Sequence, residues 1–293
     1  MICSICPRNC GINRAETQGL CAVGEKIRVA RSAPHFWEDP CISGENGSGT
    51  VFFSGCNLGC VYCQNYDVSH NAFGKEVSED GLKRIFDALI EKGVHNLNLV
   101  TPTHFVPMLA KVLREYNSPV PVVYNSSGYE KAETLKMLEG LVDIYLPDLK
   151  YFDSLPAEKY SGAGDYFEFA SKAILEMHRQ VGLLETDENG IARKGMIIRH
   201  MVLPGNISQA VKVFEWVAEN LPIETYISVM RQYTPYGKAV DMPPINRRLS
   251  GREYKIVKEK ILDMGFENCY FQSKDSAEEN FIPDFNLEGV DLL

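Results

Sequence analysis

Thr50-Val51-Phe52-Phe53-Ser54-Gly55-Cys56-Asn57-Leu58-Gly59-Cys60-Val61-Tyr62-Cys63-Gln64-Asn65 reads as a short buried strand that runs directly into a loop of three cysteines. The β-branched and aromatic run Thr50 to Ser54 is too short and too uniformly apolar for a surface helix. The loop has the spacing C-x3-C-x2-C, which brings three thiolates into one tight turn. Three thiolates can bind three irons of a 4Fe-4S cube and leave the fourth iron open to an exogenous ligand. A closed electron-transfer cluster or a structural zinc site needs a fourth protein ligand, and the loop supplies none. Cys41 and Cys269 are the remote candidates for that role.

Outward from this loop the strand signal recurs at Asn96 to Val100, Pro121 to Tyr124, Val142 to Leu146, Met196 to Leu203 and Thr225 to Met230. Between these runs lie amphipathic stretches: Glu79 to Lys92, Phe105 to Tyr116, Lys131 to Glu139, Phe167 to Val181 and Ser208 to Asn220. Another, Gly251 to Met264, follows the sixth run. Gly93, Gly140 and Gly182 are placed to end three of them. Strand and helix in alternation imply parallel strands joined by helical crossovers, and six such units predict an α/β fold, an open (β/α)6 partial barrel. Chemistry in such sheets gathers where the strands end. The domain organisation expected is a Cys-rich metal-binding segment over residues 1–45 and a partial barrel with a C-terminal tail over 46–293. The first segment is too small and Gly/Pro-punctuated to fold on burial alone.

Composition narrows the function. At 293 residues and 45% hydrophobic content the chain can bury one large core. A net charge of −9, without a block of basic residues, excludes the electrostatic footprint of a nucleic-acid binder. No run approaches the roughly 18 apolar residues of a membrane span, and the opening Met1-Ile2-Cys3 lacks a basic-then-apolar leader, so a cytoplasmic, membrane-free protein is expected. Nine cysteines in a reducing compartment, seven of them in two compact patterns, read as metal ligands rather than disulfides. Between Lys274 and Leu293 six carboxylates face a single cation, which reads as a solvated tail.

The cysteine loop, with Tyr62 immediately before its third cysteine, resembles the signature of the radical S-adenosylmethionine superfamily. The resemblance covers most of Phe53 to Gly237 and is closest to proteins related to pyruvate formate-lyase activating enzyme, in a branch with an N-terminal cysteine cluster. It implies a 4Fe-4S cluster on Cys56, Cys60 and Cys63, chelated at its open iron by the methionyl amine and carboxylate of S-adenosylmethionine. It further implies reductive cleavage to a 5′-deoxyadenosyl radical that abstracts hydrogen, and Tyr62 near the adenine. After the second strand Val100-Thr101-Pro102-Thr103-His104 stands where the superfamily has Gly-Gly-Glu-Pro; with the Gly-Gly-Glu missing, backbone carbonyls and the Thr101 or Thr103 hydroxyl are left as acceptors for the amine. Tyr124-Asn125-Ser126-Ser127-Gly128-Tyr129 is similar to the activases' Thr-Asn-Gly segment. Leu146-Pro147-Asp148-Leu149-Lys150 resembles their Asp-Leu-Lys motif, whose alternate residues point to one side and offer an acceptor and a cation to the cofactor. Arg199, inside the fifth run, needs an anion, and the resemblance makes that the cofactor carboxylate. His200, facing the other way, reads as packing. Tyr233-Thr234-Pro235-Tyr236-Gly237-Lys238 matches the activases' Pro-Tyr-His region in place but lacks its histidine, for which a tyrosine is a possible substitute.

Cys3, Cys6, Cys10 and Cys21 place four thiolates in nineteen residues, a closed ligand set that suits tetrahedral zinc or a second iron-sulfur cluster. The fold-stapling argument favours zinc; electron relay would favour the cluster. The expected partners are a low-potential electron donor and, because an open barrel admits bulk, a protein or peptide substrate. The competing functional reading is an iron-sulfur electron-transfer or scaffold protein in which Cys41 or Cys269 fills the open iron. A zinc-organised adaptor is a third, weakened by the intact Asp148, Lys150 and Arg199.

Overall fold

The computed structural model describes residues 2–273 and 283–290. Its strands are β1 (Arg28–His35), β2 (Ser48–Phe53), β3 (Lys75–Glu76), β4 (Leu97–Val100), β5 (Val122–Ser126), β6 (Ile144–Pro147), β7 (Glu185–Thr186), β8 (Ala192–Met201), β9 (Tyr226–Met230) and β10 (Cys269–Phe271). The sheet order is β10-β9-β8-β6-β5-β4-β2-β1-β3, with β7 paired to β8. From β2 to β10 every neighbour on that path is parallel, giving seven parallel strands rather than the six expected. The seventh, β10, is only three half-buried residues long, too little apolar pattern to read as a strand in sequence.

The helices are α1 (Pro40–Ser43), α2 (Tyr66–Ser69), α3 (Glu79–Glu91), α4 (Val106–Glu115), α5 (Ala132–Leu135), α6 (Ser154–Ser161), α7 (Tyr166–Val181), α8 (Ala210–Asn220) and α9 (Gly251–Asp263). Gly93, Gly140 and Gly182 follow helical segments with positive φ, as expected. The predicted helix at Lys131 to Glu139 is one α-turn, α5, followed by a 3-10 turn. α9 begins with a reciprocal cap between Ser250 and Glu253.

Period two explains how the strands work. Leu97 and Leu99, Val122 and Tyr124, Met196 and Ile198 face the helices in one large core cluster. Their alternates Val123, Ile144, Leu146 and Ile197 face the lumen and close around Cys41 and Ile42. Above that apolar floor the alternation places Asn98, Asn125, Arg199 and Ser228, which are buried or half-buried polar residues that need partners.

Two parts of the chain are arranged differently from the reading of residues 1–45 as an appendage. Arg28–His35 is strand β1, antiparallel to β2 with His35 opposite Ser48, and belongs to the sheet. The next residues carry α1 under the end where the parallel strands begin, so that Cys41 and Ile42 plug the barrel. Residues 2–27 do lie off the sheet. They are tied to it by Thr134 Oγ1, which donates to Ile5 O at 2.6 Å, and Lys131 Nζ, which donates to Ser4 O at 2.9 Å. Most of the acidic tail, including Phe281 and Ile282, lies outside the described residues; within it Phe285 packs edge-on against Phe52 and Val290 is buried. Among the described residues no helix is long and apolar enough to cross a membrane.

Candidate active site

The three cysteines sit just past β2, at the end where the parallel strands finish. Gly55 makes the turn possible: its φ is +83°, and a Cβ there would stand 2.2 Å from the Cys21 carbonyl oxygen. Cys56, Cys60 and Cys63 line one cavity of about 250 Å³, together with Tyr62, Thr101, Asn125, Asp148, Lys150 and Arg199. Residues more than a hundred positions apart are thus brought into one place. Burial, then the neighbouring sulfurs of Cys63 and Cys60, pushes the Cys56 thiol up to about 12. Burial raises the Cys63 thiol as well, and bound iron is the kind of positive charge that offsets this. Leu58 N–H points at Cys56 Sγ at 3.4 Å and Ser161 Oγ donates to Cys60 Sγ at 3.0 Å, donors that suit thiolate sulfur. The donor set therefore fits an iron-sulfur cluster.

Among the described residues no fourth thiol joins them. Cys41 lies in the apolar floor, and Cys269 is on β10 with its thiol toward Phe266 O at 3.5 Å; neither lines the cavity.

Asp148 and Lys150 stand beyond β6 and pair at 2.6 Å, each side chain about one-seventh exposed. Burial works to raise the Asp148 pKa, yet Lys150 and Arg199 outweigh it and hold the carboxylate below its ordinary value. Gly128 lets the loop after β5 pass beneath: its φ is +75° and a Cβ would meet Asp148 O at 2.1 Å. Arg199 Nε donates to Asp148 Oδ1 at 3.1 Å, Nη1 to Glu38 Oε2 at 3.1 Å and Nη2 to Asn125 Oδ1 at 2.6 Å. The anion that a strand-interior arginine requires is thus supplied by the protein itself. This corrects the expectation of a cofactor carboxylate as its necessary partner. Glu38 reaches up from the plug and also accepts from Asn98 and Asn125, at 3.3 and 3.0 Å. Beside it Asp39, pushed up to about 6 by burial, accepts from Ser228 Oγ at 2.6 Å. Sequence reading missed both carboxylates, because nothing in Phe36 to Asp39 announces that the chain turns under the barrel there.

Thr101 lines the cavity with φ +59°, a conformation that β-branched residues avoid and that is characteristic of strained functional loops. Its N–H donates to Asn125 O at 2.8 Å. Thr103 does not belong with it. That side chain is fully buried, and Oγ1 donates to Glu130 Oε1 at 2.5 Å, so it faces away from the cavity. The reason is the 3-10 turn Thr103–Phe105, which rotates it toward the core. Tyr62 lines the cavity but sends its hydroxyl to Tyr151 OH at 2.6 Å, in a chain that continues through Ser161 to Cys60. His200 is packed as expected: Nδ1 donates to Leu149 O, Nε2 accepts from Ser208 Oγ at 3.0 Å, and burial lowers its pKa to about 4. Tyr233 is buried and donates to Ile245 O at 2.6 Å, a packing role and not a histidine's substitute.

Glu130, missed in sequence, is buried among Thr103 and Tyr124 and is pushed by that burial from 4.5 to about 7. A folded-state pKa above the unfolded value means that the native state holds the proton more tightly between those two values. Stability should therefore be fully present below pH 4.5 and decline by roughly 3 kcal/mol as pH rises through 7. In Glu130→Gln this part of the pH slope should vanish, as read from urea midpoints at pH 5 and pH 8. An unchanged slope would show that Glu130 is ionised throughout.

The three cysteines on a strand-end loop, opening on a cavity without a fourth thiol, coincide with the family comparison. The model of the Radical SAM superfamily matches residues 50–217. The chain belongs to the radical SAM superfamily. An uncharacterized protein of Methanocaldococcus jannaschii is 31% identical over 271 residues, covering 89% of this chain and 73% of its own. Among solved structures, HydG, a maturase of the [FeFe]-hydrogenase, aligns with a TM-score of 0.51 at 14% identity, over 80% of this chain. This chain spans 54% of HydG's length, and the likeness shows the partial-barrel fold alone. Methylornithine synthase (PylB) aligns over 80% of this chain and 68% of its own, with 15% identity and a TM-score of 0.49. Superfamily membership implies an enzyme that uses a 4Fe-4S cluster and S-adenosylmethionine.

Proposed function

We propose that this radical SAM enzyme abstracts hydrogen from a protein or peptide substrate, in the manner of the glycyl-radical activating enzymes. The observation that carries the reading is the cavity shared by Cys56, Cys60, Cys63, Asp148 and Lys150. Cys56, Cys60 and Cys63 would hold a 4Fe-4S cluster, which with bound S-adenosylmethionine would supply the reductive cleavage of a carbon-sulfur bond. The chain's own residues do the rest. Lys150 offers a cation to the cofactor carboxylate and Asp148 an acceptor to its ribose, while Thr101 and the carbonyls beside it accept from the methionyl amine. Arg199, neutralised by Glu38 and Asp148, holds the lumen wall rigid beneath them. Trp37, Phe52 and Pro283 give one side of the cavity an apolar rim, and Met230 and Gln232 bound it from the opposite edge of the sheet. A cavity bounded in this way suits an extended polypeptide segment. An external low-potential donor supplies the electron, and the four N-terminal thiols hold a second metal centre.

The test is anaerobic reconstitution with iron and sulfide, followed by dithionite and S-adenosylmethionine. Methionine and 5′-deoxyadenosine are expected in equal amounts, at a slow uncoupled rate without substrate. Absence of both under strict anaerobiosis would remove the catalytic reading and leave the electron-transfer alternative. Asp148→Asn should weaken S-adenosylmethionine binding about tenfold or more by leaving Lys150 without its partner, with the cluster absorption unchanged.

A further inference from the structure

The N-terminal cysteine segment is interlocked with the central cysteine loop by two links, one between cysteines and one through Arg8. Cys56 N–H donates to the Cys21 carbonyl at 3.2 Å, so a ligand of one site is bonded directly to a ligand of the other. Arg8, between Cys6 and Cys10, donates to Asn57 O at 2.8 Å and Leu58 O at 3.0 Å, between Cys56 and Cys60. It also donates to Ser161 O at 2.8 Å, and the Ser161 hydroxyl is bonded to Cys60 Sγ. Four carbonyls converge on this one guanidinium, with Gly162 O as the fourth, and its plane lies over the Tyr129 ring at 5.3 Å. A stapling function alone would be served by any surface of the barrel. This segment is seated against the three-cysteine loop.

Two of the four N-terminal sulfurs neighbour each other. Those of Cys10 and Cys21 lie 3.5 and 3.4 Å from the point where a Cβ on Gly19 would stand. The Leu20 N–H points at Cys10 Sγ at 3.5 Å, a donor suited to a ligating thiolate. Among the described residues, however, no group of these side chains is gathered around a single-ion site, and this holds for the central three as well. What favours a cluster over a structural zinc ion is the seat of these thiols against the central loop, where Cys21 is hydrogen-bonded to Cys56 and an electron can pass.

We propose that Cys3, Cys6, Cys10 and Cys21 hold a second, closed iron-sulfur cluster that relays single electrons to the cluster on Cys56, Cys60 and Cys63. This rests on the reading of those three as a cluster site, though not on the identity of the substrate. The central thiols line the cavity, where cofactor and substrate cover them, whereas Cys3 and Cys10 are half-exposed and lie outside it. An electron from an external low-potential one-electron donor reduces the outer cluster by one unit. The same electron then reduces the central cluster by one unit and returns the outer one to its oxidised state, with no proton or ligand transferred. The path is Cys21 C=O to Cys56 N–H, a single hydrogen bond between two ligating residues.

The experiment uses the full chain, reconstituted anaerobically with iron and sulfide and never exposed to S-adenosylmethionine. Iron should reach about eight per chain, one cube for each cysteine set, with no stoichiometric zinc. It should fall to about half in Cys3→Ser/Cys6→Ser and in Cys56→Ala. After dithionite reduction, electron paramagnetic resonance should show two clusters whose spins broaden each other in the wild type, and one unbroadened signal in either variant. About four irons with one zinc would overturn the proposal, as would two signals that do not interact. The wild-type measurements decide the matter even if the double variant folds poorly. Because nothing is read from S-adenosylmethionine cleavage, a failure of the catalytic reading and a failure of the relay are distinguishable.

Discussion

Anaerobically reconstituted Cys60→Ala protein is expected to form no 5′-deoxyadenosine above background, a loss of at least about a thousandfold relative to the wild type. Cys60 supplies one of only three thiols at the cavity, and neither Cys41 nor Cys269 is placed to replace it. Its removal also frees the Ser161 hydroxyl, which ends the Tyr62–Tyr151–Ser161 hydrogen-bond chain. Ser161→Ala separates these two effects. It deletes the donor without touching a ligand and should reduce activity by no more than about tenfold, the scale of a neighbour to a metal ligand. Full activity in Cys60→Ala, measured by chromatography of the nucleoside product, would remove this loop as the cluster site.

Arg199→Ala is expected to lower folding stability by about 3–5 kcal/mol, because it strips Glu38 and Asp148 of a guanidinium that both contact inside the barrel. Side-chain exposures of 12–13% make solvent a poor replacement. Asp148 keeps Lys150, and Glu38 keeps two asparagine amides, so the larger share of the loss falls on Glu38. Adding Glu38→Gln to Arg199→Ala should recover part of the stability, since it removes the charge left behind. Urea denaturation of the apoprotein measures both, and cofactor binding should weaken while the cluster absorption persists. A single variant as stable as the wild type would mean that Arg199 is a free ligand group and not the centre of the luminal network.

The barrel was legible because a parallel sheet buried on both faces writes itself as short apolar runs, and every one of the six runs overlaps a strand. β10 escaped because three half-buried residues carry no pattern, and β1 because its apolar and polar residues alternate irregularly across a bulge. The loop after β6 was legible for a different reason: Asp148 and Lys150 are two apart, so local geometry alone puts them together. Thr101 and Thr103 are also two apart, yet a positive φ at one and a 3-10 turn at the other send them to different places.

The sequence by itself determined the alternation of strand and helix, the three-thiol loop at a strand end and the four-thiol segment before it. These depend on spacing along the chain, which fixes what a loop can ligate and which face a strand buries. Only the tertiary structure decided which charges meet. Glu38 lies 161 residues from Arg199 and joins it because the segment after β1 turns under the barrel. Cys21 joins Cys56 because the N-terminal segment docks on Gly55, where the absence of a side chain permits the approach. Contacts of that kind depend on long-range packing of buried polar groups, whose partners no local pattern names.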